Sequence, residues 1–401
     1  MSTTNLQVET TTANSYRWVI LALATLSFLF TFMSRFSWPP LIPVVGPVFH
    51  MTAAEAGSFM TAFYFGYVIT QIPAGILADR LGSRFILAGS LIIPGIMLIA
   101  MGHMVTYSQG FWFRFVMGLG AGADMAAASR ALTEWFSTRE RVVAWGILMA
   151  SPTAGLMLPN WVVPALTKAF GWQGVFEIFG VTAIVIGILV ALFVRVSATS
   201  VVSGGNPFGG LKVVFTSKNL ILLALAGFCL MWAQIGLATW ANAYFHRIGF
   251  SVAASGTIMV VYGIGGILAP LTSPFWIKRL GQMRKLIFWA FLIQIPLTIW
   301  FGTIQSYEYL MTMGFFLGYV TYLVNSPLNI LITDVAGKAW AATAIGSTNF
   351  IFQFASMICP LIVGLSIDFT GTFSASWYII ALGSLVGMIL ISCVKMEETA
   401  V

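Results

Sequence analysis

Apolar residues in this chain run on in long blocks, separated by short polar breaks, without the alternation of half-buried strands. A helix needs about 20 mostly apolar residues to cross a bilayer core of about 30 Å. Twelve blocks meet that length. They run from Trp18 to Val45, Ala53 to Ala78, Phe85 to Val105, Gly110 to Leu132, Val142 to Leu166 and Trp172 to Val194. The second six run from Asn219 to Tyr244, Val252 to Ile277, Leu286 to Ile304, Tyr309 to Ile332, Trp340 to Ile367 and Phe373 to Val394. Outer-membrane strands would be segments of about ten alternating residues, which these are not. The pattern predicts an all-α membrane protein of twelve transmembrane helices in two six-helix bundles. Residues 1–16 are Thr-rich and polar, without a basic region or cleavage site, and are expected to be a disordered cytoplasmic tail.

Composition agrees with this. Of 401 residues, 59% are hydrophobic and 8% charged, against about a quarter charged in soluble domains. Disordered chains, coiled coils, disulfide scaffolds and ordinary soluble enzymes are excluded. Cys229, Cys359 and Cys393 lie in apolar stretches without metal or redox spacing, and no cofactor is implied. The net charge of +7 is topological. With both termini cytoplasmic, fifteen Lys and Arg fall at inner loops and span ends, and only Lys168 and Arg247 fall outside. Lipid, not nucleic acid, is therefore the partner, and the expected location is a bacterial inner membrane.

The stretch between Arg195 and Lys218 is the longest polar break, centred on Gly204-Gly205-Asn206-Pro207. It divides a unit at 17–195 from one at 219–395, with a linker at 196–218 and a cytoplasmic tail at 396–401. The units echo each other: Gly82 and Gly281 are 199 residues apart, and so are Arg139 and Lys338. Repeated six-span units suggest two bundles with a site between them that faces each side in turn.

Ionisable residues inside spans are costly and usually face a cavity or a partner. Arg35, Arg114, Asp124 and Glu177 stand out. Guanidinium groups bind carboxylates through forked hydrogen bonds. Arg35 and Arg114 both enter the outer half of their spans and are candidates for an anion site, or for ion pairs with an acid or a helix end. Asp124 and Glu177 are candidates for proton coupling, or for structural partners. Ten residues separate Arg114 from Asp124, about 15 Å along a helix, so these two are not expected to pair.

Tyr64, Tyr67 and Gln71 share one helix face, as do Tyr319, Tyr322, Asn325 and Asn329. Gln234, Tyr262, Asn349 and Gln353 add donors from other spans of the second unit. These are candidate substrate contacts, or interhelical hydrogen bonds. The second unit has no span Arg or Lys, so charge would hold an anion from one side and neutral donors from the other. Histidines 50, 103 and 246 are scattered, and no catalytic cluster or phosphate-binding loop occurs.

The run Gly75-Ile76-Leu77-Ala78-Asp79-Arg80-Leu81-Gly82-Ser83-Arg84 resembles the loop between spans two and three of the major facilitator superfamily. There Gly75 and Gly82 let the chain turn, and Asp79, with Arg80, Arg84, Glu140 and Arg141, is expected to latch one conformation. Phe113-Arg114-Phe115-Val116-Met117-Gly118, Glu134-Trp135-Phe136-Ser137-Thr138-Arg139-Glu140-Arg141 and Phe170-Gly171-Trp172 resemble the anion:cation symporter family, as do Arg35 with Pro43 and Tyr64 with Gln71. Ser34 and Ala121 stand where that family often carries Asp and Glu associated with proton coupling. The resemblance implies a monomeric carrier of a small organic anion, a carboxylate or sugar acid, with the proton as coupling ion. An anion exchanger is the alternative. A proton-driven exporter of drug-like or neutral solutes ranks lower, because its G-P-x-x-G-G motif is not found in Ser151-Pro152-Thr153-Ala154-Gly155.

Overall fold

The computed structural model describes the backbone of residues 3–71, 73–195, 214–337 and 340–395, and their side chains except those of 3–14, 74–81, 138, 139, 142 and 342. The described residues are α-helical and contain no strand. The first part of the chain forms α1 (Thr3–Phe36), α2 (Ile42–Val48), α3 (Ala53–Gln71), α4 (Ala74–Gly102), α5 (Tyr107–Ala121), α6 (Asp124–Trp135) and α7 (Thr138–Phe193). The second forms α8 (Lys218–Arg247), α9 (Val252–Leu280), α10 (Met283–Phe301), α11 (Tyr307–Leu323), α12 (Asn325–Ala336), α13 (Ala341–Thr370) and α14 (Ser374–Ser392).

Nine stretches of described residues are long and apolar enough to cross a membrane, where twelve were expected. The difference has physical causes. Val143–Phe193 counts once at 51 residues but holds Gly171 at φ 69°, a break that only glycine adopts without strain. The block expected from Gly110 to Leu132 is split into α5 and α6 at Gly122 and Ala123, leaving two short helices. The helix of the second block ends at Gln71, short of Ala78. At the other extreme α1 runs back to Thr3, through the stretch expected as a disordered tail. Tyr16 anchors it there, donating to the Phe193 carbonyl and lying 5.6 Å from the Trp135 ring. Most of the 196–218 linker and the 396–401 tail lie outside the described residues.

The internal repeat continues into the packing. A Cβ at Gly118 of α5 would overlap the Phe63 carbonyl of α3, and one at Gly66 would overlap the Phe115 carbonyl. Gly318 and Gly265 make the same reciprocal crossing, against Tyr262 and Phe315. The two pairs of crossings are 199 to 200 residues apart.

One apolar core, with Trp38, Phe59, Met101 and Trp172 from the first part and Trp240, Tyr244, Phe301 and Trp377 from the second, runs across both parts. Two further cores stay separate, one built from Leu21, Leu87 and Leu132, the other from Leu223, Phe291 and Leu331. These separate cores lie at the end carrying Arg17, Arg195, Asn219 and Lys395. The two parts therefore share apolar packing toward the opposite end and hold independent cores near their termini.

Candidate functional site

The site begins where α1 stops. Pro39 and Pro40 lack N–H donors and cannot extend the helix, so α1 ends at Phe36 with last-turn carbonyls open. Arg114, fully buried, reaches from α5 and donates through Nη1 to the Arg35 carbonyl at 3.1 Å. Its guanidinium carbon lies 5.7 Å from the Trp38 ring centre. Pairing with a helix end was one of the two readings of Arg114, and this is the contact that forms.

Arg35 itself is 2% exposed. Its guanidinium carbon lies 4.3 Å from the ring centre of Phe32, one turn back on α1. From α3, Phe63 and Tyr67 approach to 4.8 Å and Tyr64 to 5.1 Å. Cation–π contacts of this kind contribute about 0.5–2 kcal/mol each. No carboxylate among the described residues pairs with Arg35 or Arg114 within 4.0 Å, and Nε and Nη2 of both lack hydrogen-bond partners. Four aromatic rings thus pack around a guanidinium with free N–H donors. Such an edge offers parallel donors to a carboxylate, a sulfonate or another planar or tetrahedral oxyanion.

Asp124 opens α6, where the positive end of the helix favours a carboxylate. It is 1% exposed, and its Oδ1 accepts from Ser27 of α1 and Ser90 of α4, each at 3.1 Å. Its Oδ2 is buried, with the Thr31 hydroxyl of α1 beside the carboxylate. Arg35 and Tyr67 lie within electrostatic reach of this carboxylate. Glu177 is elsewhere: it is 43% exposed and pairs with His103 at 3.2 Å, so the fold does not bring it to this cluster.

The second part of the chain faces this cluster with neutral groups. Tyr64 has the Ser356 hydroxyl of α13 beside it and is within electrostatic reach of Tyr322 on α11. The Tyr322 ring sits 6.0 Å from that of Tyr262, whose hydroxyl is buried without a partner. The other candidates divide. Gln234 donates to Asn325 at 2.9 Å and to the Thr321 carbonyl at 3.3 Å, and Gln353 donates to Asn349 at 3.4 Å. Tyr319 turns instead to α9, with Thr272 and Trp276 each at 2.6 Å from its hydroxyl. Asn329 is exposed, and Gln71 is half-buried with its Oε1 unpartnered. Gln294, which sequence reasoning missed, donates to Thr321 at 2.9 Å.

Of the expected latch, the side chains of Gly75, Asp79 and Arg80 lie outside the described residues, as do those of Arg139 and Lys338. Gly82 turns the chain at φ 80°, and Arg84 lies over Phe85 with its Nε unpartnered. Glu140 pairs with Arg17 at 2.8 Å and accepts from Ser137. That hydroxyl, and after it Arg17, hold the exposed Glu140 carboxyl below the usual range. Arg141 donates to the Thr133 and Phe136 carbonyls, closing the end of α6.

Two sets of hydrogen bonds join the two parts at the end away from the termini. Asn242 donates to Asn160 at 2.8 Å, and Asp368 accepts from the amides of Ala53 and Ala54 at 2.7 and 2.8 Å, at the start of α3. A carboxylate there, meeting open helix N–H groups, contributes about 1–2 kcal/mol. Asp368→Ala is expected to move the balance between closed and open forms of this end five- to thirty-fold. The check is the distance distribution between spin labels at Val105 and Phe369, 74% and 93% exposed, in a Cys393→Ser background. An unchanged distribution would remove Asp368 from any gating role.

Broken helices, a two-part repeat and a buried charged cluster are the features of a membrane transporter. The chain belongs to the Major Facilitator Superfamily, whose model matches residues 23–360. It is 26% identical to the probable sulfoacetate transporter of Cupriavidus necator, over 93% of this chain and 92% of that one. It is 23% identical to the probable galactarate/D-glucarate transporter of Bacillus subtilis, over 81% and 80% of the two chains. With the hexuronate transporter of Bacillus subtilis identity is 21%, over 88% and 90%. Among solved structures, a bacterial homologue of the human lysosomal transporter Spinster, inward-facing and unoccupied, matches with a TM-score of 0.76 at 18% identity, covering 94% and 95%. A nucleoside transporter variant matches with a TM-score of 0.78 at 16% identity, covering 94% and 100%. These structural likenesses show the fold. The protein is a multi-pass membrane transporter and not an enzyme.

Proposed function

We propose that this protein carries a small organic anion, a carboxylate, sugar acid or sulfonate, held by Arg35 and moved by alternating access. The observation that carries the reading is a buried guanidinium, ringed by Phe32, Phe63, Tyr64 and Tyr67, with unpartnered N–H donors and no paired acid. The anion-carrying relatives support it. Arg114 sets the end of α1, while Tyr322 and Tyr262 offer hydroxyls to the polar body of the anion from the other side. Twelve passes, in units 17–195 and 219–395 with both termini cytoplasmic, and a monomer in a bacterial inner membrane complete the reading. Asp79 and its neighbouring arginines would latch the end near the termini.

Coupling follows from charge. Each net charge moved across an inside-negative membrane is worth about 2.3 kcal/mol per 100 mV. Without a counter-anion, uphill entry of a monoanion therefore needs at least one proton, and the buried Asp124 is the group to carry it. The exchanger reading rests on Ser34 and Ala121, where the resembled family has acids.

The experiment is uptake into proteoliposomes of D-glucuronate, galactarate and sulfoacetate, after a thermal-shift screen that also contains neutral sugars and lipophilic cations. Accumulation driven by an inward pH gradient supports symport. Uptake that needs a trapped counter-anion supports exchange. Stabilisation by neutral or cationic compounds alone would overturn the anion reading.

A further inference from the structure

The internal repeat sets an acid of the first part against a base of the second. At the offset of 199 residues that relates Gly82 to Gly281, Asp79 corresponds to Lys278 near the end of α9. No Asp or Glu occurs between Glu177 and Glu308. The corner that follows is tight: α9 is closed by Gly281 at φ 74°, and α10 begins at Met283. Arg284 donates through Nη1 to the Val394 carbonyl at 2.6 Å, which fastens the corner to the chain just past α14. Lys278, Arg279 and Lys285 stay exposed around it. No carboxylate among the described residues pairs with them within 4.0 Å, although the exposed Asp334 lies at the same end of the second part. Apolar surface rises from the same corner. On α9, the exposed Leu268, Leu271 and Phe275 run at helical spacing down to Arg279. On α10, the exposed Trp289 and Ile293 follow Lys285 in steps of four. Trp276 and Trp289 stand two and four residues inside the lysines of their helices, at the depth tryptophans take among lipid headgroups.

We propose that this corner binds an anionic phospholipid such as phosphatidylglycerol. Lys278, Arg279 and Lys285 hold the phosphodiester, and the two apolar stripes lie along the acyl chains. Cytoplasmic ends of spans favour Lys and Arg in general, but that rule does not arrange three cations without an acid above two exposed apolar stripes. A free phosphate ion would meet the same cations and leave the stripes unused. A zwitterionic lipid brings its own ammonium to the corner, where uncompensated cations repel it. Each Lys or Arg close to an anionic lipid surface is worth about fivefold in affinity. Because Arg284 ties the corner to the end of α14, the lipid anchors the second part. The first part, whose corresponding loop carries Asp79, is not given the same anchor. One leaflet thereby steadies one bundle while the other rocks against it.

The test is native mass spectrometry of the full chain in detergent, offered phosphatidylglycerol, phosphatidylethanolamine and inorganic phosphate. One phosphatidylglycerol is expected to stay bound, about tenfold more tightly than phosphatidylethanolamine, and inorganic phosphate is expected not to displace it. Lys278→Gln combined with Lys285→Gln should weaken this binding about twenty-fivefold. Lys278→Arg combined with Lys285→Arg should leave it unchanged. Both side chains are exposed, so neither double variant is expected to disturb folding, which melting curves check. Lys218→Gln combined with Lys395→Gln removes the same charge from exposed positions at the same end and serves as the control. An equal loss in that control would reduce the effect to net charge and overturn the site, as would equal retention of the two lipids. Displacement by inorganic phosphate would overturn the lipid as occupant.

Discussion

Arg35→Lys is expected to cut anion uptake about thirty- to a hundredfold, although the charge is kept. The reason is shape. The rings of Phe32, Phe63, Tyr64 and Tyr67 stand 4.3 to 5.1 Å from the guanidinium carbon, a spacing that suits a flat, weakly hydrated group. An ammonium in the same place is a compact, strongly hydrated point charge and cannot present two parallel N–H donors to one oxyanion. Replacing a forked, charge-assisted contact by a single one forfeits about 2–3 kcal/mol, and each 1.4 kcal/mol is tenfold in affinity. Arg35→Gln, which removes the charge as well, should abolish specific uptake. Phe63→Leu should have a smaller effect, about two- to thirty-fold, because it removes one ring of the four. Initial rates of D-glucuronate uptake in proteoliposomes, normalised to reconstituted protein, give the comparison. A lysine variant within threefold of wild type would mean that the cage reads charge alone.

Much of this arrangement is legible in the sequence, and the gaps have physical explanations. Continuous apolar blocks need no long-range information, and an ionisable residue inside one is conspicuous because it is costly. Arg35, Arg114 and Asp124 could therefore be singled out, and Tyr64 and Tyr67 joined them by helical spacing. Phe63, as close to Arg35 as Tyr67 is, was hidden among other apolar residues. Ser27 and Ser90 were also hidden, since serine is common in membrane helices and only packing decides which serine meets a carboxylate. Gln234 was read as a substrate donor, yet it donates to Asn325 and to the Thr321 carbonyl, partners that only packing brings to it. Tyr319 shares a helical face with Tyr322 in the spacing argument, but the neighbouring α9 draws its hydroxyl to Thr272 and Trp276. Asp368 lies at a block boundary, where an acid is unremarkable until the opposite helix start is seen beneath it.

Gly118→Leu is expected to prevent recovery of folded, monodisperse protein, a destabilisation beyond about 4 kcal/mol. A Cβ at this position would overlap the Phe63 carbonyl oxygen and lie 2.9 Å from the Tyr67 amide nitrogen, both rigid backbone of α3. Helices α3 and α5 would have to separate, carrying Phe63, Tyr64 and Tyr67 away from Arg35 and drawing Arg114 from the end of α1. Ordinary overpacking of a core by flexible side chains costs about 1–3 kcal/mol, and a clash with backbone offers less room to relax. Gly318→Leu should be equally severe, because its Cβ would meet the Tyr262 backbone in the corresponding crossing. Gly146→Leu is the control, since a Cβ at that exposed position of α7 would meet nothing within 4 Å. Size-exclusion profiles and melting curves of the three variants give the answer. If Gly118→Leu melts within a few degrees of Gly146→Leu, close contact between α3 and α5 does not hold the cage together, and the aromatic wall around Arg35 must be fixed by other packing.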